Sequence, residues 1–500
     1  MKINYEVYKD KVRACWIGKN IGGTLGAPYE GMRELLDVQG FKTKPGVPEP
    51  NDDLDLQLVW LHALENEGAG RICADTLGEY WLDLITPYWN EYGIGKTNMQ
   101  RGLVPPTSGD VNNDWKNSNG AWIRTEIWAC AAPATPELAV KFAIEDAKVD
   151  HGTGEGTYAA AFVAALQSSA FALSSARECV DIAFSAIPES SRVYMSVKAV
   201  IDAYDAGESW QTARNTVLNM NKDLGSGWFE APSNVAYTVL GLLYGENDFK
   251  KTLIIATNCG DDTDCTAGTA GATLGILFGT SVIPDDWREH VGDSIVTCSV
   301  VNVSVGRFFP KSCAELSERV TSLAPSILYS QEASFDVRCR HAGYTSFTSE
   351  TTAPNRDDVY SELERRISSV KKKHLDLKEN SVEVERSALR IRLSADKVNV
   401  SPTDEVKIEV DFTQRECVQL RQYPLRLKWL LPEGFSVEGP KSALIKADET
   451  SMHAKHGDGR LTLSYTLRTG DAIEECQRCV LEVTSPGRHT AIYIPLVLLG

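Results

Sequence analysis

The chain of 500 residues is 43% hydrophobic and 24% charged, and its formal net charge is −17. This length predicts two or three domains, and the acidic excess argues against a nucleic-acid-binding surface. No uncharged apolar run reaches the roughly 18 residues of a membrane helix, so the composition indicates a globular protein that does not cross a membrane.

The twelve cysteines are scattered along the chain, and several of them stand in apolar helical patterns. This distribution favours free, buried thiols in a reducing cytosol over a disulfide framework. Cys476 and Cys479 form a single C-x-x-C, which without a second pair is only a weak sign of zinc or redox chemistry. The N-terminus has no apolar stretch of the kind found in signal peptides. We therefore expect a cytoplasmic protein.

A first helical pattern runs from about Tyr5 to Ile17 and leads into a Gly-rich segment, residues 18–31. This segment is not a phosphate-binding loop, because it lacks the G-x-x-x-x-G-K-[ST] spacing and a preceding strand. Glu30 stands near its end. A solvated loop residue is one interpretation of Glu30; the other is that the small residues before it let the backbone approach another element closely.

A second helical pattern begins after Asn51, a good N-cap residue, and is followed by leucines at helical spacing. Asp52 and Asp53 therefore occupy its first turn. Acids in this position can simply oppose the helix dipole.

Further helical patterns cover about residues 73–86, 120–131, 136–148, 155–172, 175–186, 192–206, 208–222, 232–244 and 248–257. Asn112 stands in a polar segment between two of them, and Arg124 near the start of another. His151 precedes Gly152 and Gly154 in a Gly-rich break. A His in such a break either contacts a ligand or is a satisfied structural residue.

The stretch 258–279 begins with three carboxylates in four residues, Asp261, Asp262 and Asp264, and continues without any charge. From Gly271 onward glycine recurs every four residues, so these glycines share one face of a helix. The pattern predicts a buried helix that packs closely against its neighbours. Carboxylates at such a helix start either cap it or share a proton or a cation, and hard cations prefer oxygen ligands.

The periodicity changes after about residue 330. Residues 331–384 read as a linker that contains a charged helix. From 385 to 500 the pattern alternates with a period of two between turn signals, which is typical of an antiparallel β-sandwich. We expect a catalytic all-α domain over residues 1–330 and an immunoglobulin-like accessory sandwich at the C-terminus.

Four segments resemble the ADP-ribosylglycohydrolase family, which includes the dinitrogenase-reductase-activating glycohydrolase, and the resemblance covers about residues 8–325. The segments are GGTLGAPYEG (22–31), NDDLDLQLVWLHALE (51–65), GAWIRTEIWACAAPATPELAVKFAIEDAKVDHGTGEGTYAAAFVAA (120–165) and GDDTDCTAGTAGATLGILFG (260–279). The resemblance implies an all-helical fold around two Mg²⁺ ions and says nothing about the sandwich.

The implied ligands to these ions are Asn51, Asp52, Asp53, Asp262 and Asp264. Asn51 stands where the family has Thr, and its carbonyl oxygen is an acceptable ligand for a hard cation.

Cys265 also stands where the family has Thr. A thiol is a poor Mg²⁺ ligand, so we expect either a water molecule in that coordination position or a preference for Mn²⁺.

The implied activity is hydrolysis of a ribosyl N- or O-glycosidic bond, removing ADP-ribose from a modified target. Glu30, Asp52 and Asp53 are the implied catalytic residues. The implied substrate contacts are His151, Gly152, Gly154, Asn112 and Arg124, although a structural salt bridge explains Arg124 equally well.

Three alternatives stay open: a glycosidase or nucleoside hydrolase for another sugar, a non-catalytic binding protein on the same fold, and a Ca²⁺-stabilised scaffold. The presence of all four aspartates of the two acidic motifs favours an enzyme.

Overall fold

The computed structural model of the protein describes residues 1–225, 228–300, 308–332, 345–351, 355–368, 370, 374–386, 389–414, 422–446 and 459–500. Its α-helices are α1 (Tyr5–Gly26), α2 (Asp52–Glu67), α3 (Ala74–Leu84), α4 (Asn90–Gln100), α5 (Thr107–Asp110), α6 (Glu126–Ala131), α7 (Pro136–Ala147), α8 (Glu155–Ala170), α9 (Ala176–Phe184), α10 (Arg192–Asp205), α11 (Trp210–Asn221), α12 (Ala231–Tyr244), α13 (Phe249–Asn258), α14 (Thr263–Phe278), α15 (Asp285–Val291), α16 (Cys313–Glu332) and α17 (Arg356–Ile367). The strands are β1 (Lys2–Asn4), β2 (Ser346–Thr348), β3 (Ser381–Arg386), β4 (Leu389–Ala395), β5 (Glu405–Gln414), β6 (Tyr423–Leu430), β7 (Ser436–Glu438), β8 (Ser442–Ile445), β9 (Arg460–Arg468), β10 (Cys476–Thr484) and β11 (Ile492–Leu499).

The packing of α1 against α14 forms the centre of the helical domain. The first helix does not end at about Ile17 as predicted: α1 continues through the Gly-rich residues to Gly26. Glycine disfavours a helix by roughly 1 kcal/mol relative to Ala, but here it lets two helix backbones touch. A Cβ on Gly18 or Gly22 would overlap the backbone of α14 at Gly271 and Ala267 respectively.

This packing brings three chain segments to one place. A short 3-10 turn after α1 leads to Glu30, and backbone hydrogen bonds join Gly31 N–H to Asp261 O (2.8 Å) and Asp261 N–H to Met32 O (2.6 Å). α14 begins directly after this junction. Asn51 caps α2 by accepting the Asp53 N–H at 2.7 Å.

The charged helix predicted between the two domains is α17, and one of its faces is buried. Val359, Leu363 and Ile367 belong to the hydrophobic core of the helical domain, and Leu375 beyond the helix does so too. The solvated face expected from the charge pattern is therefore only part of this helix.

Two antiparallel sheets follow and enclose a second hydrophobic core. Their strand orders are β11-β10-β6-β8 and β3-β4-β5-β9-β7. The alternating burial along β4 and β5 is that of strands with one face in a core. The helical domain contacts this sandwich, because Val104 and Val111 pack against its core and Arg101 forms an ion pair with Glu475 at 3.1 Å. The chain is thus multidomain, with an all-helical part followed by an all-β part.

The C-x-x-C motif lies on β10. Cys479 is fully buried in the sandwich core, whereas Cys476 is half-buried. Residues three apart on a strand point to opposite faces, so these two thiols do not form a shared site. The ten cysteines among the described residues are all free.

Among the residues that the structure describes, no helix combines the length and the apolarity needed to cross a membrane.

Candidate active site

Three distant segments of the chain meet where α1, α2 and α14 converge, and together they supply the five carboxylates of an acid cluster, Glu30, Asp52, Asp53, Asp262 and Asp264. We define two overlapping groups within this acid cluster. The outer group is Glu30, Asp262 and Asp264, and the inner group is Asp53, Asp264 and Cys265; within each group, one ligand atom per residue lies within 4.8 Å of the others. Glu30 is exposed and Asp53 is fully buried, so the cluster runs from the surface into the interior.

Burial and mutual repulsion raise the pKa values of the cluster. Burial raises the pKa of Asp53 to about 8, against the opposing effect of Lys19 and with a further rise from Asp264. Burial, followed by the charge of Glu30, raises the pKa of Asp264 to about 7. Glu30 is exposed as a residue, but burial of its carboxyl group, followed by the charges of Asp52 and Asp53, raises the pKa of this group to about 7. Acids held together in this way accept either protons or a cation.

The outer group also contains buried oxygen atoms without partners. Asp262 Oδ1 and Asp264 Oδ1 receive no hydrogen bond within the described structure, whereas Asp262 Oδ2 accepts one from Asn119 Nδ2 at 2.6 Å. Leaving such an acceptor unsatisfied is costly. The donor set is carboxylate oxygen, which is what Mg²⁺ and Ca²⁺ prefer, so these residues fit a hard divalent cation.

The two residues that depart from the family pattern both contact Asp53. Asn51 Oδ1 accepts the Asp53 N–H as the cap of α2. The Cys265 thiol donates to Asp53 Oδ1 at 3.2 Å, and burial raises the pKa of this thiol well above its usual value. The structure therefore gives Cys265 the part of a hydrogen-bond donor.

Lys19 is a member of the site that the sequence did not point out. Its side chain is fully buried, and Nζ lies 2.9 Å from Asp53 Oδ2 and 3.3 Å from Glu126 Oε1. Its only sign in the sequence is a Lys between Gly18 and Gly22, which lies beyond Ile17, where the predicted helix ends.

Two further side chains orient the aspartates. Tyr92 OH donates to Asp52 Oδ2 at 2.9 Å, and Asn119 holds Asp262 as described above.

By contrast, Asp261 accepts from the Phe229 N–H and from Asn234 Nδ2, so it stabilises the turn before α14.

Arg124 and His151, which were expected to contact substrate, have no exposed surface. Arg124 forms ion pairs with Asp146 and Asp150, each at 2.9 Å, which is the salt-bridge alternative. His151 Nδ1 lies 2.8 Å from Asp150 Oδ1, and its Nε2 lies 3.3 Å from Ser118 Oγ. Both side chains are enclosed by these partners in this structure.

The glycines beside His151 have packing roles. Gly152 has a φ of +50°, and a Cβ there would meet the Asp110 carboxylate. A Cβ on Gly154 would overlap the Lys116 carbonyl. Asn112 is exposed in a surface hollow together with Tyr88, Thr97 and Arg101, and none of these residues belongs to the acid cluster.

The amino-acid sequence was matched by a family profile and by known proteins. The sequence profile described as ADP-ribosylglycohydrolase matches residues 4–317. ADP-ribosylhydrolase ARH3 from Bos taurus is 22% identical over an alignment of 352 positions, which covers 60% of this chain and 94% of that protein. The Homo sapiens protein of the same name is 22% identical over 348 positions, with the same coverage.

Another relative matches a shorter stretch of the chain at higher sequence identity. ADP-ribosylarginine hydrolase Tri1 from Pseudomonas putida (strain GB-1) is 38% identical over 87 residues, which are 17% of this chain and 21% of that protein. The crystal structure of a FixG-related protein from Vibrio parahaemolyticus matches 23% of this chain and 97% of that chain at 9% identity, with a TM-score of 0.18, which is too low to establish a shared fold. The profile match, which spans more than half of the residues, shows that the chain belongs to the ADP-ribosylglycohydrolase family, whose members hydrolyse glycosidic bonds of ADP-ribose.

Proposed function

We propose that the chain is a divalent-cation-dependent hydrolase that cleaves a ribosyl N- or O-glycosidic bond and removes ADP-ribose from a modified target. The observation that carries this proposal is the outer group. Three carboxylates from two distant parts of the sequence converge there, and two of their buried oxygens have no hydrogen-bond partner among the described residues.

Glu30, Asp262 and Asp264 would hold the cation, and we propose Mg²⁺, with Mn²⁺ as the alternative. A bound divalent cation would act as a Lewis acid that stabilises negative charge on ribose oxygens and fixes the sugar in place.

Asp52 is our candidate for the general base. It is half-buried, and Tyr92 holds one of its oxygens in a fixed orientation. Asp53 is the poorer candidate, because each of its oxygens already faces a donor, Cys265 or Lys19.

The reaction is a displacement at C1 of the ribose. Asp52 takes a proton from water as the water oxygen bonds to C1, and the C1–N or C1–O bond breaks with its electron pair leaving on the target. The departing nitrogen or oxygen takes up a proton from solvent, and Asp52 returns its proton to solvent. The transition state resembles an oxocarbenium ion. Glu30, at the open end of the cluster, would orient the attacking water.

The first target to test is ADP-ribosylarginine, because Tri1 is named as a hydrolase of it. Purified protein is incubated with an ADP-ribosylarginine peptide and with an O-linked ADP-ribosyl peptide, and free ADP-ribose is measured by chromatography. We expect release in the presence of Mg²⁺, loss of release with EDTA, and recovery when Mg²⁺ is restored.

Two results would contradict the proposal. Undiminished release in EDTA would remove the cation from the function. Tight binding of ADP-ribose without release from either peptide would favour a non-catalytic binding protein.

A further inference from the structure

The donors of the buried Lys19 side chain are used inside the protein, beside the acid cluster. Nζ donates to the Ile123 carbonyl at 2.7 Å and to Thr269 Oγ1 at 3.1 Å, and it forms ion pairs with Asp53 and Glu126. An ammonium group has three N–H donors, so these four acceptors fully occupy it.

The side chain is also held in position along its length. Lys19 has no exposed surface, and its stem crosses Gly268, where a Cβ would lie 3.3 Å from Lys19 Cδ. The flanking Gly18 and Gly22 are packed against the backbone of α14. The positive charge therefore cannot swing away from the cluster unless α1 separates from α14.

This charge occupies the side of Asp53 on which an inner cation would bind. Lys19 Nζ lies 2.9 Å from Asp53 Oδ2, and the Cys265 thiol donates to Asp53 Oδ1. A Mg²⁺ ion bound to Oδ2 at about 2.1 Å would lie no more than about 5 Å from Nζ, and two cations repel strongly at that distance in a buried site. The sulfur of Cys265 would also be a poor ligand for such an ion.

The outer group lacks these obstacles. Its oxygens Asp262 Oδ1 and Asp264 Oδ1 have no hydrogen-bond partner in the described structure. The third member of the outer group, Glu30, is exposed to solvent.

We infer that Lys19 supplies the fixed positive charge of the inner group, and that the chain binds one divalent cation, at the outer group, where the family resemblance implies two. This inference rests on the proposed cation-dependent function and specifies its metal content.

The test is a count of bound Mn²⁺ ions, which requires no substrate. The full-length protein is titrated with Mn²⁺ by calorimetry and equilibrium dialysis, and the saturated protein is examined by electron paramagnetic resonance. We expect one tightly bound Mn²⁺ per chain and the spectrum of an isolated ion. Two ions about 3.5–4 Å apart, as in two-metal sites, would instead give a spin-coupled spectrum.

The variant Lys19→Met removes the charge but keeps an unbranched side chain over Gly268, and we expect it to bind two Mn²⁺ with a spin-coupled spectrum. If it does not fold, Lys19→Gln is used in the same titration. Lys11→Met is the matched control, because Lys11 is also buried on α1 but its Nζ donates to the carbonyls of Ala170 and Phe171, which are not part of the acid cluster. This variant should bind one ion.

Each outcome decides a separate question. Two coupled ions in the wild type, together with normal hydrolysis, would overturn this inference alone. One ion in both the wild type and Lys19→Met would also overturn it, because Lys19 would then not be what excludes the second ion. A wild type that binds no Mn²⁺ would overturn the proposed cation-dependent function as well.

Discussion

Gly18 on α1 and Gly271 on α14 face each other so closely that a Cβ on either residue would overlap the carbonyl oxygen of the other. The same contact continues towards the acid cluster, where a Cβ on Gly26 would overlap the backbone of Thr263 and Asp264. The close approach of these two helices therefore sets the distance between Glu30, just after α1, and Asp264, at the start of α14.

Gly271→Ala should destabilise the protein by about 1–3 kcal/mol, the usual cost of overpacking, or more, because the overlapping atoms belong to a backbone that cannot rotate away. Chemical denaturation measures this cost. Gly40→Ala is the control, because no atom lies within 4 Å of its added Cβ. Equal stability of the two variants would show that the helices can separate slightly without cost.

Asp264→Asn should abolish hydrolysis while the fold is retained, because it removes a charge shared by the inner and outer groups but keeps the side-chain shape. We expect the cation affinity to fall at least about 100-fold, because even the loss of a residue that only supports a metal ligand lowers the affinity by up to about that factor. Asp286→Asn is the control, since Asp286 lies at the surface beside Lys250. Calorimetric titration with Mg²⁺ and a hydrolysis assay measure the effect, and unchanged Mg²⁺ affinity would remove Asp264 from the site.

Cys265→Thr should retain cation binding and activity, because a hydroxyl can replace the thiol as donor to Asp53. Cys265→Ala should also bind the cation, but it loses the donor and leaves a small cavity, at a cost of about 1–2 kcal/mol. Thermal unfolding and Mg²⁺ titration distinguish these effects. Loss of cation binding in a folded Cys265→Ala protein would identify the sulfur as a ligand.

His374 should make the stability sensitive to mild acid. Burial and the nearby charges of Lys141, Arg390 and Lys148, partly opposed by Glu145, lower its pKa from 6.5 to about 3. Between these pH values the unfolded chain binds a proton that the folded protein does not, so stability that is present above pH 6.5 is lost as the pH falls towards 3.

The expected slope from His374 is at most about 1.4 kcal/mol per pH unit. In His374→Gln the free energy of unfolding should therefore fall less between pH 7 and pH 5 than in the wild type. The same substitution at the exposed His489 serves as the control. An identical decline in wild type and His374→Gln would contradict the prediction.

A chain truncated after residue 378 should keep the cation site, because all residues of the acid cluster and the buried face of α17 remain. It should be less stable than the full chain, since Val104 and Val111 lose their contact with the sandwich core. Mg²⁺ titration and thermal unfolding of the truncated protein check both expectations. A folded truncation that binds no cation would show that the sandwich supports the site.

The order of the two architectures, helices first and then antiparallel strands, follows from the sequence alone, because hydrophobic periodicity is a local property of each segment. The acids were also visible in the sequence: Asp52, Asp53, Asp262 and Asp264 stand at the starts of two helical patterns, and Glu30 stands in a motif that resembles a known family.

Only the tertiary structure decided what surrounds those acids. Local helix propensity predicts that α1 ends before its glycines. Contact with α14 outweighs that propensity and keeps residues Gly18–Gly26 helical. Because the helix continues, Lys19 points into the interior beside Asp53 instead of lying in a loop. The burial of Arg124 and His151 also depends on tertiary structure, because the packing brings partners such as Asp146 and Asp150 to these side chains. A pattern along one segment records which face of that segment is apolar, but a buried charge is decided by groups on other segments, which only the packed fold assembles.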